Sequence, residues 1–336
     1  MLARPPRQRL WPRFQGRDVS WILDEVERKD WINTRVGDVF LLSDVVGQWR
    51  RNMDVSAFIH TFEGHTWERG YCQAVRRNFP KAWLVGYQHA RVSGMALNYC
   101  VSRAEWGRVP FPDRIVTNGP HHYDLLRQNG IPEHVLASGE ALRYSSLVRS
   151  ASVRCPRKFD EPIVRILVAF SIIPAHAAEL LLTVIKAFAS PHEFRVSLKF
   201  HPSLQALRAA KAAGIAVSEL SAHMKVVREP VSQLLQDVDV LVYTDTTAAV
   251  EALAYGVPIV HLQPSHDIDL DPLESFEGVR VSTGTAEGLR EAVRAAVKVG
   301  PEEHAVRVRR WQEVVDLLLP PPEEKTIDLF MPENVR

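Results

Sequence analysis

Three short segments carry side chains able to bind an anion or move a proton, and each ends a stretch of β-forming residues. The first is Lys199-Phe200-His201-Pro202-Ser203. An ammonium or imidazole there can pair with a phosphate, and Ser203 can add a hydrogen bond. Pro202 fixes the turn that aims His201 outward. The competing reading is an ordinary strand exit with a solvated histidine. The second segment is Tyr243-Thr244-Asp245-Thr246-Thr247, followed at once by AAVEALAYGVP. A threonine-rich turn entering a helix exposes backbone N–H groups and the positive end of the helix dipole, a ready anion site. Thr244, Thr246 and Thr247 add hydroxyls. Glu251, four residues after Thr247, shares its helix face and suits a vicinal diol. A helix that merely caps itself is the alternative. The third segment is His60-Thr61-Phe62-Glu63-Gly64-His65. Glu63 stands beside a glycine that leaves room for a ligand, so it could accept a proton from a hydroxyl as general base. His89 is the second catalytic candidate. It follows Gly86-Tyr87-Gln88, so that Gly64, His65 and Gln88 line the same edge. Glu63 could instead only favour a helix N-terminus.

Other chemistries find no motif. The chain lacks a GxGxxG loop after its first strand, a GxxxxGK[ST] loop, a GxSxG elbow and an HExxH pair. His121 and His122 are adjacent and point apart in a helix. Asp267, Asp269 and Asp271 alternate in a polar stretch that reads as a solvated loop rather than a cation site. No metal and no cofactor is expected.

The elements that would hold these segments alternate regularly from Ile163 onward. IVRILVAF is a strand of the kind buried on both faces, and Pro174 opens a helix. FRVSLKF, MKVV, DVLVY, PIVHL and VRVS follow as strands, with helices at VSQLLQD, TTAAVEALAY and GTAEGLREAVRAAVKV between them. This is the pattern of a doubly wound, Rossmann-like domain. The first half is less regular. DVFLLSDVV, AFIHT and AWLVGYQ read as strands, and HTWERGYCQAVRRNF reads as a helix with Trp67, Tyr71 and Val75 on one face. RIVTNG, HHYDLLRQNG and VLASG extend the βαβ pattern. The serine- and proline-bearing stretch 144–162 reads as a linker. The expected division is an arm at 1–35, an N-terminal Rossmann-like domain at 36–150, a C-terminal one at 151–320 and a surface tail at 321–336.

The chain has 336 residues, enough for two such domains. With 41 basic and 40 acidic side chains its net charge is +1, which gives no reason to expect a nucleic acid partner. Cys72, Cys100 and Cys155 are far apart and odd in number, which fits a reducing, cytoplasmic setting without disulfides or zinc. No apolar run reaches membrane-spanning length. Arg4, Arg7, Arg9, Arg13 and Arg17 interleave with Trp11 and Phe14. They read as a solvated arm, with peripheral contact at the inner membrane as the alternative.

Residues 163–299 resemble GT-B glycosyltransferases, in which TDTTAAVEALAYGVPIVHL would hold the donor nucleotide. The resemblance implies that Glu251 binds the ribose and the preceding hydroxyls the phosphate. KFHPS is similar to the His-Pro motif of bacterial sialyltransferases and polysialyltransferases, which use CMP-activated sugars, and implies that His201 contacts the donor phosphate. Phe62-Glu63-Gly64 resembles their acidic-acidic-glycine motif, with Phe62 in place of the first acid. FEGHTWERG, GYQHA, PDRIVTNGP and ASGEALRY look like bacterial surface-carbohydrate biosynthesis proteins. Together these resemblances imply a metal-independent glycosyltransferase. It would take a CMP-activated sialic-acid-like or Kdo-type sugar and a surface-glycan or lipid-linked acceptor. A nucleotide-sugar 2-epimerase, a polyol-phosphate transferase and a non-catalytic GT-B scaffold are the alternatives.

Overall fold

The computed structural model describes residues 13–14, 17–18, 20–22, 24–25, 35–145, 163–202, 210–215, 220–265 and 268–332. Ser203, Asp267, most of the expected arm and all but the start of the expected linker lie outside the described residues.

The N-terminal domain holds four parallel strands in sequential order: β1 (Ala57–Thr61), β2 (Trp83–Gln88), β3 (Arg114–Asn118) and β4 (Leu136–Gly139). Helix α1 (Arg35–Trp49) packs on α2 (Thr66–Asn78), and α3 (Pro120–Gln128) links β3 to β4. DVFLLSDVV, expected as a strand, therefore lies inside α1. Its near-continuous apolar run hides a helical period. Val39 abuts Gly70 of α2 and Val46 is fully buried, while Phe40, Leu41 and Val45 stay exposed.

The C-terminal domain holds six parallel strands: β5 (Val164–Ala169), β6 (Phe194–Lys199), β7 (Met224–Val226), β8 (Val240–Tyr243), β9 (Ile259–Leu262) and β10 (Val281–Thr283). Their order is β10-β9-β8-β5-β6-β7. Helices α4 (Pro174–Ala187), α5 (Val231–Leu234) and α6 (Ala248–Ala254) lie in the crossovers, and α7 (Ala286–Val297) and α8 (Pro301–Leu318) follow β10. Strand β5 is buried on both faces, as its sequence requires. Ile166 and Val168 pack with Leu180 and Leu181 of α4, while Leu167 and Ala169 face α6 and Trp311 of α8.

Two further expectations need correction. Residues after Pro320 do not trail as a surface tail. The Pro320-Pro321-Pro322 run cannot continue α8, and the chain turns back so that Phe330 packs on Val85 and Val116 of the N-terminal sheet. The Asp269–Asp271 stretch is not a solvated loop either. Asp271 is fully buried, accepts from the Tyr243 hydroxyl at 2.9 Å and pairs with Arg280. Asp269 faces His261 at 3.5 Å.

Candidate functional site

The strand order creates a crevice. From β5 the chain runs outward to β6 and β7, then returns to the other side of β5 at β8. Such a reversal opens a gap at the carboxyl ends of the two central strands, where open α/β sheets take their ligands. The Thr244–Thr247 turn leaves β8 at this point. Thr246 Oγ1 accepts from Ala248 N at 3.3 Å and shapes the turn. The Thr244 hydroxyl and Asp245 Oδ1 are buried with no hydrogen-bond partner. Asp245 Oδ2 lies 3.2 Å from Nδ1 of His176, which enters from α4, and both side chains are almost wholly buried. Unsatisfied buried polar atoms are costly. A cluster of them at a topological switch point marks a place built for a polar ligand. Helix α6 has only seven residues. The donors there belong to the turn more than to a macrodipole.

Glu251 is half-buried on α6. Burial pushes its carboxyl up to about 7, opposed by the nearby Arg143 charge. His201 follows β6, held near the crevice by Phe200, whose ring stacks on Phe170 with centroids 4.1 Å apart. Burial and then the Arg143 charge lower its pKa, so it is a neutral imidazole near pH 7. Lys199 turns the other way: its ammonium donates to Arg228 O at 3.1 Å, beyond β7. Pro202 is an exposed turn residue. The structure thus brings Thr244, Thr246, Thr247, Glu251 and His201 to one crevice and leaves Lys199 out.

In the N-terminal domain Glu63 emerges just past β1. Its two carboxylate oxygens lie 3.0 Å from His65 Nε2 and 3.4 Å from His89 Nε2. One partly exposed carboxylate is therefore bracketed by two imidazoles, an arrangement that can pass a proton. Gly64 has φ +71°, and a Cβ there would meet Asn98 O at 2.1 Å, so the turn admits glycine alone. Phe62, where the resemblance has an acid, is buried with Val92 and Tyr99. Gln88 does not line the cleft. It is fully buried, accepting from Asn118 N at 2.9 Å and donating to Ala90 O.

Glu68 was not legible as part of this cluster. It is 2% exposed, and its carboxylate accepts from Glu63 N at 2.8 Å and Gly64 N at 2.9 Å, locking the turn that presents Glu63. Its position in the first turn of α2 is the only sequence signal. Burial raises its pKa from 4.5 to about 7 against the pull of those N–H groups. The folded state thus holds a proton that the unfolded state has lost. The resulting stability is complete below about 4.5, declines as pH rises and is gone above about 7. Thermal melts should fall across that window. Glu68→Gln should flatten the fall, and an unchanged profile in the variant would exclude Glu68 as its source.

A single loop joins the two clusters. His89 meets Glu63, and two residues on Arg91 crosses the cleft to Leu270 O and lies 3.8 Å from Asp245. The same loop continues to Ser93 and Gly94, which donate to Glu274 of the C-terminal domain. Tyr144, buried beside Thr247, closes the other side. Arg91, Tyr144, Thr247 and Val250 line an interdomain pocket, with Leu318 and Leu319 as its apolar wall. Arg91, Arg143, Tyr144 and His176 were missed because no periodicity marks them. Asp245 was legible within TDTT but drew no role.

No protein-family model matches the sequence, and no curated protein matches it in sequence. Solved structures do. The UDP-GlcNAc 2-epimerase from Neisseria meningitidis, bound to UDP-GlcNAc, is similar with TM-score 0.54 and 13% identity, over 84% of this chain and 80% of that one. A glycosyltransferase from Rickettsia africae has TM-score 0.52 and 12% identity, over 89% and 79%. Anabaena Alr3699/HepE in complex with UDP-glucose has TM-score 0.51 and 14% identity, over 86% and 79%. The likeness establishes the fold: this is an α/β protein of GT-B type, with two parallel-sheet domains. Its structural neighbours are glycosyltransferases and UDP-GlcNAc 2-epimerases. Among the described residues no helix is long and apolar enough to cross a membrane.

Proposed function

We propose that the protein is a glycosyltransferase that moves a sugar from a nucleotide-activated donor to a glycan or lipid-linked glycan acceptor. The donor nucleotide occupies the β5/β8 crevice, with its phosphate at the Thr246-Thr247 turn and its ribose on Glu251. Glu63 takes the proton from the acceptor hydroxyl, with His65 and His89 beside it. The observation that carries this reading is the loop from His89 to Arg91, which ties a candidate base to the nucleotide crevice across one cleft. Hydroxyls, turn N–H groups and arginines neutralise the leaving phosphate, so transfer proceeds in a chelator.

For the nucleotide, a uridine diphosphate fits better than the CMP expected from KFHPS. Lys199 is committed to Arg228 O, His201 is neutral, and two arginines from the N-terminal domain approach the crevice instead. The ligands bound in the neighbours named above, UDP-GlcNAc and UDP-glucose, support the same choice. The test is calorimetric titration with UDP and CMP, followed by transfer assays with the matching sugars, with and without EDTA. Thr246→Val/Thr247→Val and Glu251→Ala should each weaken UDP binding by about 1–3 kcal/mol, the range for lost hydrogen bonds to charged groups. Affinity should also rise with pH through about 7 as Glu251 ionises to accept the ribose diol, and Glu251→Gln should remove that rise. Binding of CMP without UDP would restore the CMP donor. Parent-like UDP binding in both variants would place the nucleotide elsewhere. Epimerisation is the second reading, supported by the neighbouring 2-epimerases. It turns over donor without acceptor, so a donor-only incubation separates it from transfer.

A further inference from the structure

We propose that Arg143, on the last described turn of the N-terminal domain, reaches across the cleft to bind the donor's phosphate. This rests on the nucleotide-sugar reading above and assigns the group that supplies its main positive charge.

The turn that carries Arg143 is fixed on several sides. Ala141 N donates to Pro320 O at 2.9 Å, and Leu142 N donates to the Tyr87 hydroxyl at 2.9 Å. Tyr144 is buried and lines one pocket with Thr247 of the donor turn. The backbone of Arg143 is thus held beside the entry to α6. Its guanidinium lies 5.7 Å from the Tyr144 ring centroid, on the exposed side of that turn. From there its charge acts on both Glu251, on α6, and His201, just past β6. A planar fork at that point can take two oxygens of one phosphate.

The other cations near the crevice are already committed. Arg91 donates to Leu270 O, approaches Asp245, and lies in the field of Asp271 and Glu274. It serves as a tie between the domains. Lys199 is bound to Arg228 O, and His201 carries no charge near neutrality. Arg143 forms no ion pair among the described residues, and Glu251, a carboxyl its charge acts on, is itself half-protonated near pH 7. Among the described residues Arg143 is therefore the cation beside this crevice that no carboxylate pairs.

The experiment is calorimetric titration of the full chain and its Arg143→Gln and Arg143→Lys variants with UDP, UMP and uridine. Arg143 is exposed, so both variants should fold. Arg143→Gln should weaken UDP about 10- to 100-fold while changing uridine less than about twofold, since only the phosphate contact is lost. Arg143→Lys should recover part of the loss, because a point charge replaces a fork. Equal UDP affinity in parent and Arg143→Gln overturns the assignment and leaves the nucleotide reading intact. A parallel loss of UDP and uridine overturns it too, by making Arg143 a prop for the turn. A parent protein that binds none of the three ligands overturns both.

Discussion

Replacing Glu63 with glutamine should slow sugar transfer by about two orders of magnitude or more, the usual effect of losing a general base, and leave nucleotide affinity unchanged. Glutamine keeps the volume and the hydrogen bonding of the carboxylate but cannot take up a proton. Among the described residues its carboxylate pairs with His65 and His89. The turn itself is held by Glu68 on the backbone N–H groups of Glu63 and Gly64, and those bonds survive the substitution. Loss of activity with normal melting and normal UDP binding would thus localise the defect to the acceptor side. His89→Ala should produce a smaller loss, because His65 still faces the same carboxylate at 3.0 Å. Near-normal turnover in Glu63→Gln would remove Glu63 from the mechanism. A loss of nucleotide binding in the same variant would move it to the donor side.

The C-terminal domain was legible because burial on both faces of a parallel sheet leaves nearly continuous apolar runs. Val164–Ala169 and Val240–Tyr243 show such runs, with turn residues between them. In the N-terminal domain the same kind of run misled: residues 38–46 look like a strand because the inward face of Val39, Leu42 and Val46 is interleaved with exposed Phe40, Leu41 and Val45. The candidate site divides in a similar way. Glu63, Thr246, Thr247 and His201 stand just past strand ends and Glu251 one turn into the following helix, where position itself points to a ligand. Arg91, Arg143 and Tyr144 act across the cleft, and a contact between domains has no local signature in sequence. Gln88 and Lys199 show the reverse error. Both stand at strand ends, yet Gln88 satisfies the backbone at Asn118 and Ala90, and Lys199 satisfies Arg228. Strand-end position brings a polar side chain to the right edge of the sheet, but competing backbone groups decide whether it remains available.

Asp271→Ala should destabilise the protein by about 3–5 kcal/mol, the cost of stranding a buried charge. Asp271 is wholly buried, and its carboxylate accepts from the Tyr243 hydroxyl at 2.9 Å and Leu273 N at 3.1 Å while pairing with Arg280. Alanine leaves the Arg280 guanidinium with only the Leu273 and Phe276 carbonyls, and leaves the Tyr243 hydroxyl with no acceptor inside the core. The consequence reaches the cleft. Tyr243 ends β8 directly before the Thr244–Thr247 turn, and Asp271 lies between Leu270, which accepts from Arg91, and Glu274, which receives Ser93 and Gly94. The variant should therefore lose nucleotide affinity as well as stability. Asp124→Ala is the comparison, because that carboxylate belongs to an exposed pair with Arg127 on α3 and should cost no more than about 0.5 kcal/mol. Urea unfolding of the two variants, with UDP titration of each, measures both effects. An Asp271→Ala midpoint equal to that of Asp124→Ala would mean that the buried pair contributes nothing net. Normal stability with lost UDP binding would instead make Asp271 a ligand group.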